Sequence, residues 1–81
     1  MTRIIRFTAA WCGPCQTMAK SLEEAQLNVP IEVIDVDTHP ELAMDYNIRS
    51  VPTLIMFDGN TEMKRTVGLR TTQQLKEWAN V

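Results

Sequence analysis

The 81-residue sequence predicts an α/β fold, with a mixed four-stranded sheet and three helices in the order β-α-β-α-β-β-α. Three observations predict it. Runs with the character of buried strands stand at 3–8 (RIIRFT), 31–36 (IEVIDV) and 53–57 (TLIMF). Segments with helical apolar spacing separate them. A turn signal, DGN at 58–60, joins the third run to a weaker strand at 62–67.

Residues 3–8 are β-branched and aromatic with little polarity, which marks a buried strand. From Pro14 to Leu27 the pattern turns helical. Cys15, Met18, Leu22 and Ala25 recur at spacings of three, four and three and share one helix face. Pro14 suits the first turn, where a missing N–H costs nothing. NVP at 28–30 ends that helix, and 31–36 alternates apolar and acidic residues before merging into a second strand. Thr38 with Glu41 has the spacing of a capping box and predicts a short helix over 39–46. RSVP at 49–52 interrupts it, and 53–57 is the most apolar strand of the chain. Thr71 with Gln74 repeats the capping-box spacing. Leu75, Trp78 and Ala79 supply the apolar stripe of the last helix, with Trp78 read as core. Strands joined through a helix are expected to pair in parallel by a right-handed crossover, strands joined by a turn antiparallel. Helices then cover both faces.

Composition narrows the function. Length predicts one domain over residues 1–81, burying roughly 60–65% of the surface of its unfolded form. Eight Lys and Arg against ten Asp and Glu leave a net charge of −2, which gives no support to nucleic-acid binding. The N-terminus, MTRIIRFTAAWC, has no apolar run of signal-peptide length, and no run approaches a membrane span. A cytoplasmic monomer is the expectation, in a compartment where thiols are mostly kept reduced.

The chemistry concentrates in TAAWCGPCQT at 8–17, which holds both cysteines of the chain. A disulfide between Cys12 and Cys15 closes a ring too small to tie distant elements together, so as a staple it is poorly placed. As a reaction centre it is well placed. The pair lies where a strand ends and a helix begins, where backbone N–H groups are unpaired and carry partial positive charge. A thiolate there is stabilised and is nucleophilic near neutral pH. Cys12 precedes the helix and is expected to be the more exposed sulfur; Cys15 starts the buried stripe. That asymmetry suits a two-step exchange, with Cys12 attacking a substrate disulfide and Cys15 resolving the mixed disulfide. Gly13 is expected to let the backbone turn tightly and Pro14 to stiffen the loop. Two other readings compete: a zinc site and a pair of inert core cysteines. Zinc wants about four ligands, and only Cys12, Cys15 and His39 offer themselves, so no metal is expected. His39, beside Pro40 at a predicted helix start, reads as an ordinary exposed histidine.

WCGPC at 11–15, after a strand and opening a helix, resembles the active-site motif of the thioredoxin family. VPT at 51–53 resembles the family's loop with a cis-proline facing that site, VG at 67–68 the glycine beside the substrate groove, and QLKEW at 74–78 the final helix. The resemblance covers nearly the whole chain and implies the thioredoxin fold. It implies a protein-disulfide reductase with no bound cofactor, working through a reversible Cys12–Cys15 disulfide. Its partners would be disulfide-containing client proteins, ribonucleotide reductase among them, and an NADPH-dependent thioredoxin reductase or glutathione as electron donor. It implies a substrate groove at Val51, Pro52, Thr53 and Gly68, with Pro52 cis and the Val51 backbone free to pair with an extended client segment. Taken alone, Pro52 reads as a proline opening a strand. Trp11 becomes an apolar wall of the groove; plain packing is the alternative.

Three departures stand out. Full-length members begin with an extra strand and helix, so the chain resembles the short, glutaredoxin-sized members, and the short 39–46 helix alone should cover one sheet face. Thioredoxins usually carry a buried acid where this chain has Arg6, and the lysine that often accompanies it is replaced by Val33. Arg6 either favours the Cys15 thiolate electrostatically or lies along the less covered face and reaches solvent through its stem. Gln16 stands where lysine is frequent, so the rim of the site should be less basic. Between recycling routes, WCGPC favours thioredoxin over a glutathione-dependent glutaredoxin, and GLRTT at 68–72 lacks the Gly-Gly or acidic segment that grips glutathione. A redox-inactive peptide-binding module is a third reading, against which both retained cysteines argue.

Overall fold

The computed structural model describes residues 1–80. Four strands and three helices follow one another as β1 (Thr2–Thr8), α1 (Gly13–Ala25), β2 (Ile31–Asp35), α2 (Pro40–Asp45), β3 (Thr53–Asp58), β4 (Thr61–Val67) and α3 (Thr72–Ala79). The sheet order is β2-β1-β3-β4. β1 and β2 run parallel, Ile4 beside Ile31 through Thr8 beside Asp35, as a helical connection predicts. The rule fails at the next step. β3 follows α2 yet pairs antiparallel with β1, because the chain crosses to the far side of β1 and enters the sheet from the opposite end. The DGN turn, with Gly59 at φ +60, then folds β4 antiparallel onto β3.

Alternation along β1 builds two cores. Ile4 points to α1 and α3 and packs with Met18, Leu22, Leu54, Met56 and Leu75. Ile5 and Phe7 point the other way and pack with Ile34, Ile55 and Phe57. Short α2 and the segment after it close this second face through Leu42, Tyr46 and Ile48. The Tyr46 ring lies 5.5 Å from Phe7 and 5.7 Å from Phe57 between centroids, at tilted and edge-on angles favourable for aromatic pairs. Trp78 is only half-buried. It packs against the first core, with Lys64 Nζ 5.5 Å above its ring.

The Thr71–Gln74 capping box is fully made: the Gln74 N–H donates to Thr71 Oγ1 at 3.1 Å, and the Thr71 N–H donates to Gln74 Oε1 at 2.9 Å. The box at Thr38 is absent. The Asp35 carboxylate accepts the N–H groups of Asp37 and Thr38, and Thr38 Oγ1 donates back to the Asp35 carbonyl at 3.2 Å. That turn engages the threonine hydroxyl, so α2 starts from His39 without a side-chain cap. The first helix stops at Ala25, short of Leu27, because its cap residue Gln26 takes the left-handed conformation at φ +48.

β4 carries an irregularity the sequence did not announce. Phe57 pairs with Glu62 and Met56 with Lys64, which leaves Met63 as an extra, bulged residue. In a regular strand, residues three apart face opposite sides. The bulge puts Glu62 and Arg65 on one side, where Arg65 donates to both carboxylate oxygens at 2.7 Å and to the Tyr46 carbonyl at 3.1 Å. Arg65 thereby ties the end of α2 to the sheet.

Candidate active site

β1 delivers the chain to the end of the sheet, a turn closes with the Cys12 N–H on the Ala9 carbonyl at 3.2 Å, and α1 begins at Gly13. Cys12 is the residue that caps α1. Its Sγ accepts the Cys15 N–H at 3.1 Å, the bond that an Asp or Ser oxygen makes at most helix starts. The two cysteines form a disulfide, with Cα atoms 5.2 Å apart. Pro14 lies in the first turn of α1, where it removes an N–H that has no acceptor. Gly13 departs from its expected part. It is an ordinary helical residue, not at positive φ, and a Cβ built on it meets nothing within 4 Å. The tight turn comes before it, at Ala9–Cys12.

The expected contrast in exposure is small in the disulfide form. Cys12 is 4% exposed and Cys15 1%. Both pack in a cluster with Ala9, Val36 and Val51. Cys12 is covered because the 49–52 segment folds over it: the Val51 carbonyl oxygen lies 3.8 Å from Cys12 Sγ. A disulfide sulfur has no proton to give, so this contact becomes a hydrogen bond only when the reduced Cys12 thiol donates.

The other predicted residues gather around this cluster. The Val51–Pro52 peptide is cis, as the resemblance implies. Val51 is half-buried, and its N–H donates to no acceptor among the described residues. Pro52 is fully buried, and its carbonyl accepts the Gly68 N–H at 2.8 Å. Gly68 holds φ +94, which side-chain-bearing residues rarely adopt. Thr53 is 2% exposed and its hydroxyl donates to the Ser50 carbonyl at 2.8 Å, so it shapes the loop from beneath. Trp11 is 72% exposed, against the packing alternative. Its indole N–H donates to Asp37 at 2.7 Å, which steadies the ring as one wall of a hollow of about 120 Å³ completed by Val36, Ile48, Arg49, Ser50 and Val51. Neither Asp37 nor Arg49 stands out in the sequence. The IDVD run at the end of the second strand is the available signal for the former, since its polar residues have to emerge at the sheet end beside the cysteines.

Arg6 sits on the same side of the sheet as Ile4, under α1, and not on the face covered by α2. It lines a cavity of about 260 Å³ behind Cys15, together with Thr8, Gln16, Ala19 and Asp35. Partial burial pulls its guanidinium below its ordinary value. His39 Nδ1 faces Glu41 at 3.5 Å at the start of α2. Among the described residues no three His, Cys, Asp or Glu side chains come together as a metal site. No described helix is long and apolar enough to cross a membrane.

The thioredoxin family model matches residues 1–81. The chain belongs to the thioredoxin family. It is 40% identical over 77 residues to a thioredoxin of Alicyclobacillus acidocaldarius subsp. acidocaldarius, covering 90% of this chain and 73% of that one. A bifunctional thioredoxin reductase/thioredoxin of Mycobacterium leprae (strain TN) matches at 42% identity over 71 residues, 83% of this chain but only 16% of the larger protein. Among solved structures, a point-mutant thioredoxin from Halobacterium salinarum NRC-1 superimposes with a TM-score of 0.88 at 35% identity, covering 96% of this chain and 71% of that one. Membership, together with the Cys12–Cys15 disulfide at the start of α1, makes the chain a thioredoxin-type thiol–disulfide oxidoreductase.

Proposed function

We propose that the protein reduces disulfides of client proteins, with Cys12 as the attacking thiolate and Cys15 as the resolving thiol. The observation that carries this reading is the bond from the Cys15 N–H to Cys12 Sγ at 3.1 Å. After reduction, that donor and the positive end of α1 favour charge on Cys12. The thiolate attacks one sulfur of a client disulfide, a Cys12–client disulfide forms, and the other client sulfur leaves as a thiolate that takes a proton from water. Cys15 then loses its proton and attacks Cys12 Sγ. The mixed disulfide breaks, the Cys12–Cys15 bond forms, and the second client sulfur is released. The client gains two electrons and the protein loses two.

The client would lie against Trp11 and Val51. The free Val51 N–H and the exposed indole suit an extended segment with an apolar side chain next to its cystine. Clients are disulfide-containing proteins of the cytoplasm, ribonucleotide reductase being one, and the protein acts as a monomer. Electrons come from an NADPH-dependent thioredoxin reductase. Similarity to a protein in which reductase and thioredoxin share one chain supports that donor.

Turbidity from insulin reduction in dithiothreitol tests the reductase activity. Acceleration dependent on both cysteines is expected; none would leave only a peptide-binding role. Replacing dithiothreitol by NADPH with a thioredoxin reductase, or by glutathione with its reductase, identifies the donor. Turnover only with glutathione would refute the thioredoxin assignment in favour of a glutaredoxin-like one.

A further inference from the structure

The cavity behind Cys15 is not used by anything described so far. It opens between β1, β2 and α1, and its lining is more polar than the rest of that core: Arg6 and Thr8 from β1, Asp35 from β2, Gln16 from α1. The parallel register explains the grouping. Arg6 pairs with Val33 and Thr8 with Asp35, so side chains at 6, 8 and 35 emerge on one face of the sheet, directly under the start of α1. Cys15, at 1% exposure, reaches this space from above. Arg6 has no carboxylate within ion-pair distance and no hydrogen-bond acceptor among the described residues, although it is half-buried. A charged guanidinium in that setting is not ion-paired, and its desolvation is felt in its lowered affinity for a proton. Asp35 is engaged by the N–H groups of Asp37 and Thr38, not by Arg6.

We propose that Arg6 is a positioning residue for the resolving step, holding a positive charge in the cavity behind Cys15 so that Cys15 is present as a thiolate when the mixed disulfide is to be broken. The proposal rests on the reading of Cys15 as the resolving thiol. A buried thiol otherwise ionises reluctantly, because desolvation disfavours the charged form. Arg6 counters that penalty by direct attraction. The proton from Cys15 leaves through the open side of the cavity to solvent, and the electron pair left on Sγ forms the new bond to Cys12 Sγ as the Cys12–client bond breaks. The groups that face Cys15 are Arg6 from β1, Asp35 from β2 and Cys12 on its own segment. Arg49 lines the hollow on the far side with Trp11, and α3 contributes no charged side chain to the cavity among the described residues. Arg6 and Asp35 therefore act on Cys15 with opposite signs, which gives the proposal a signature that mere packing would not have.

The test measures the pKa of Cys15 in the Cys12→Ser protein, by alkylation rate against pH, alone and combined with changes at the cavity. With Arg6 present, Cys15 is expected to titrate below the ordinary thiol value of about 8.5 despite its burial. Arg6→Gln should raise it by about one unit, Arg6→Lys should restore most of the shift, and Asp35→Asn should lower it. In the protein with both cysteines, Arg6→Gln should slow resolution of a Cys12 mixed disulfide with thionitrobenzoate about threefold at pH 7. The thiolate fraction falls about tenfold, and the greater nucleophilicity of a more basic thiol offsets part of that. A Cys15 value at or above 8.5 with Arg6 in place, or no movement in Arg6→Gln alongside normal folding, overturns the proposal. Should Arg6→Gln fail to fold, the Cys12→Ser value and the Asp35→Asn shift still decide. Insulin reduction by the unmodified protein is measured in parallel: its loss counts against the reductase reading, whereas a fixed Cys15 titration with intact insulin reduction counts against Arg6 alone.

Discussion

Gly68 carries the strongest backbone constraint near the disulfide, and its replacement by alanine separates conformation from packing. Its φ is +94, and a Cβ built there meets only the flexible tip of Arg70, at 3.7 Å. No clash therefore contributes. The cost is the backbone conformation itself, about 1–3 kcal/mol for a non-glycine residue held in a sparsely populated region. At about 4–8 °C per kcal/mol for a domain of this size, the melting temperature should fall by roughly 5–20 °C. Any relief by rotation of φ would move the Gly68 N–H off the Pro52 carbonyl, which it reaches at 2.8 Å, and would loosen the loop beside Cys12. Insulin reduction should then weaken in kcat/KM as well. Gly13→Ala is the matched control. That glycine is helical with open space around its Cβ, so alanine there should stabilise by about 0.5–1 kcal/mol. Thermal unfolding of both variants in the oxidised form reads the difference directly. Equal melting temperatures for Gly68→Ala and Gly13→Ala would refute the reasoning.

Other expectations follow from the same geometry. Gln26→Gly should stabilise by about 0.5–1 kcal/mol, because the left-handed C-cap at φ +48 suits glycine; a loss measured in urea would contradict it. Arg65 holds the Glu62 carboxyl below the usual carboxylate range through their paired hydrogen bonds. A carboxylate depressed in the folded state adds stability above its unfolded value of about 4.3, and that stability is lost as pH falls through the folded value. Since the pair is partly exposed and screened by solvent, Glu62→Gln should cost about 0.2–1 kcal/mol at pH 7, a deficit that closes in melting scans below about pH 4. Trp11→Ala should raise KM for a protein disulfide far more than for a small one such as dithionitrobenzoate, since an indole this exposed offers apolar area that only a large partner could cover.

Much of this architecture is legible in the residues themselves, and the misses share a physical cause. Local signals read correctly where one segment decides the outcome. Met18, Leu22 and Ala25 describe a helix face, Thr71 and Gln74 cap a helix, and the Cys12–Cys15 spacing marks a helix start. The failures come where another segment competes. Thr38 has the spacing to cap α2, but the Asp35 carboxylate and carbonyl capture that turn first. Cys12 is the more exposed sulfur, as its place before the helix implies, but Val51, thirty-nine residues away, covers it and leaves the contrast small. β3 should run parallel to its predecessor, but its partner is the central strand, and pairing with β1 fixes its direction. Arg6 has two readings in one dimension, beside Cys15 or along the less covered face; the fold puts it under α1, and register with β2 brings Asp35 into its cavity. The bulge at Met63 leaves no trace, because neither Gly nor Pro marks it.

The claim beneath all of this is that the start of α1 makes Cys12 acidic. The Cys15 N–H bond and the helix dipole together favour the thiolate by about 2–4 kcal/mol, and burial takes part of that back. The most direct test follows the rate of iodoacetamide alkylation of Cys12 in reduced Cys15→Ser protein across a pH series. That substitution keeps the backbone N–H that Cys12 uses as its donor. A titration clearly below the ordinary thiol value of about 8.5 is the expected result, because the Cys15 N–H and the helix start favour the charged form. A Cys12 that titrates at about 8.5 like a free thiol would contradict the account.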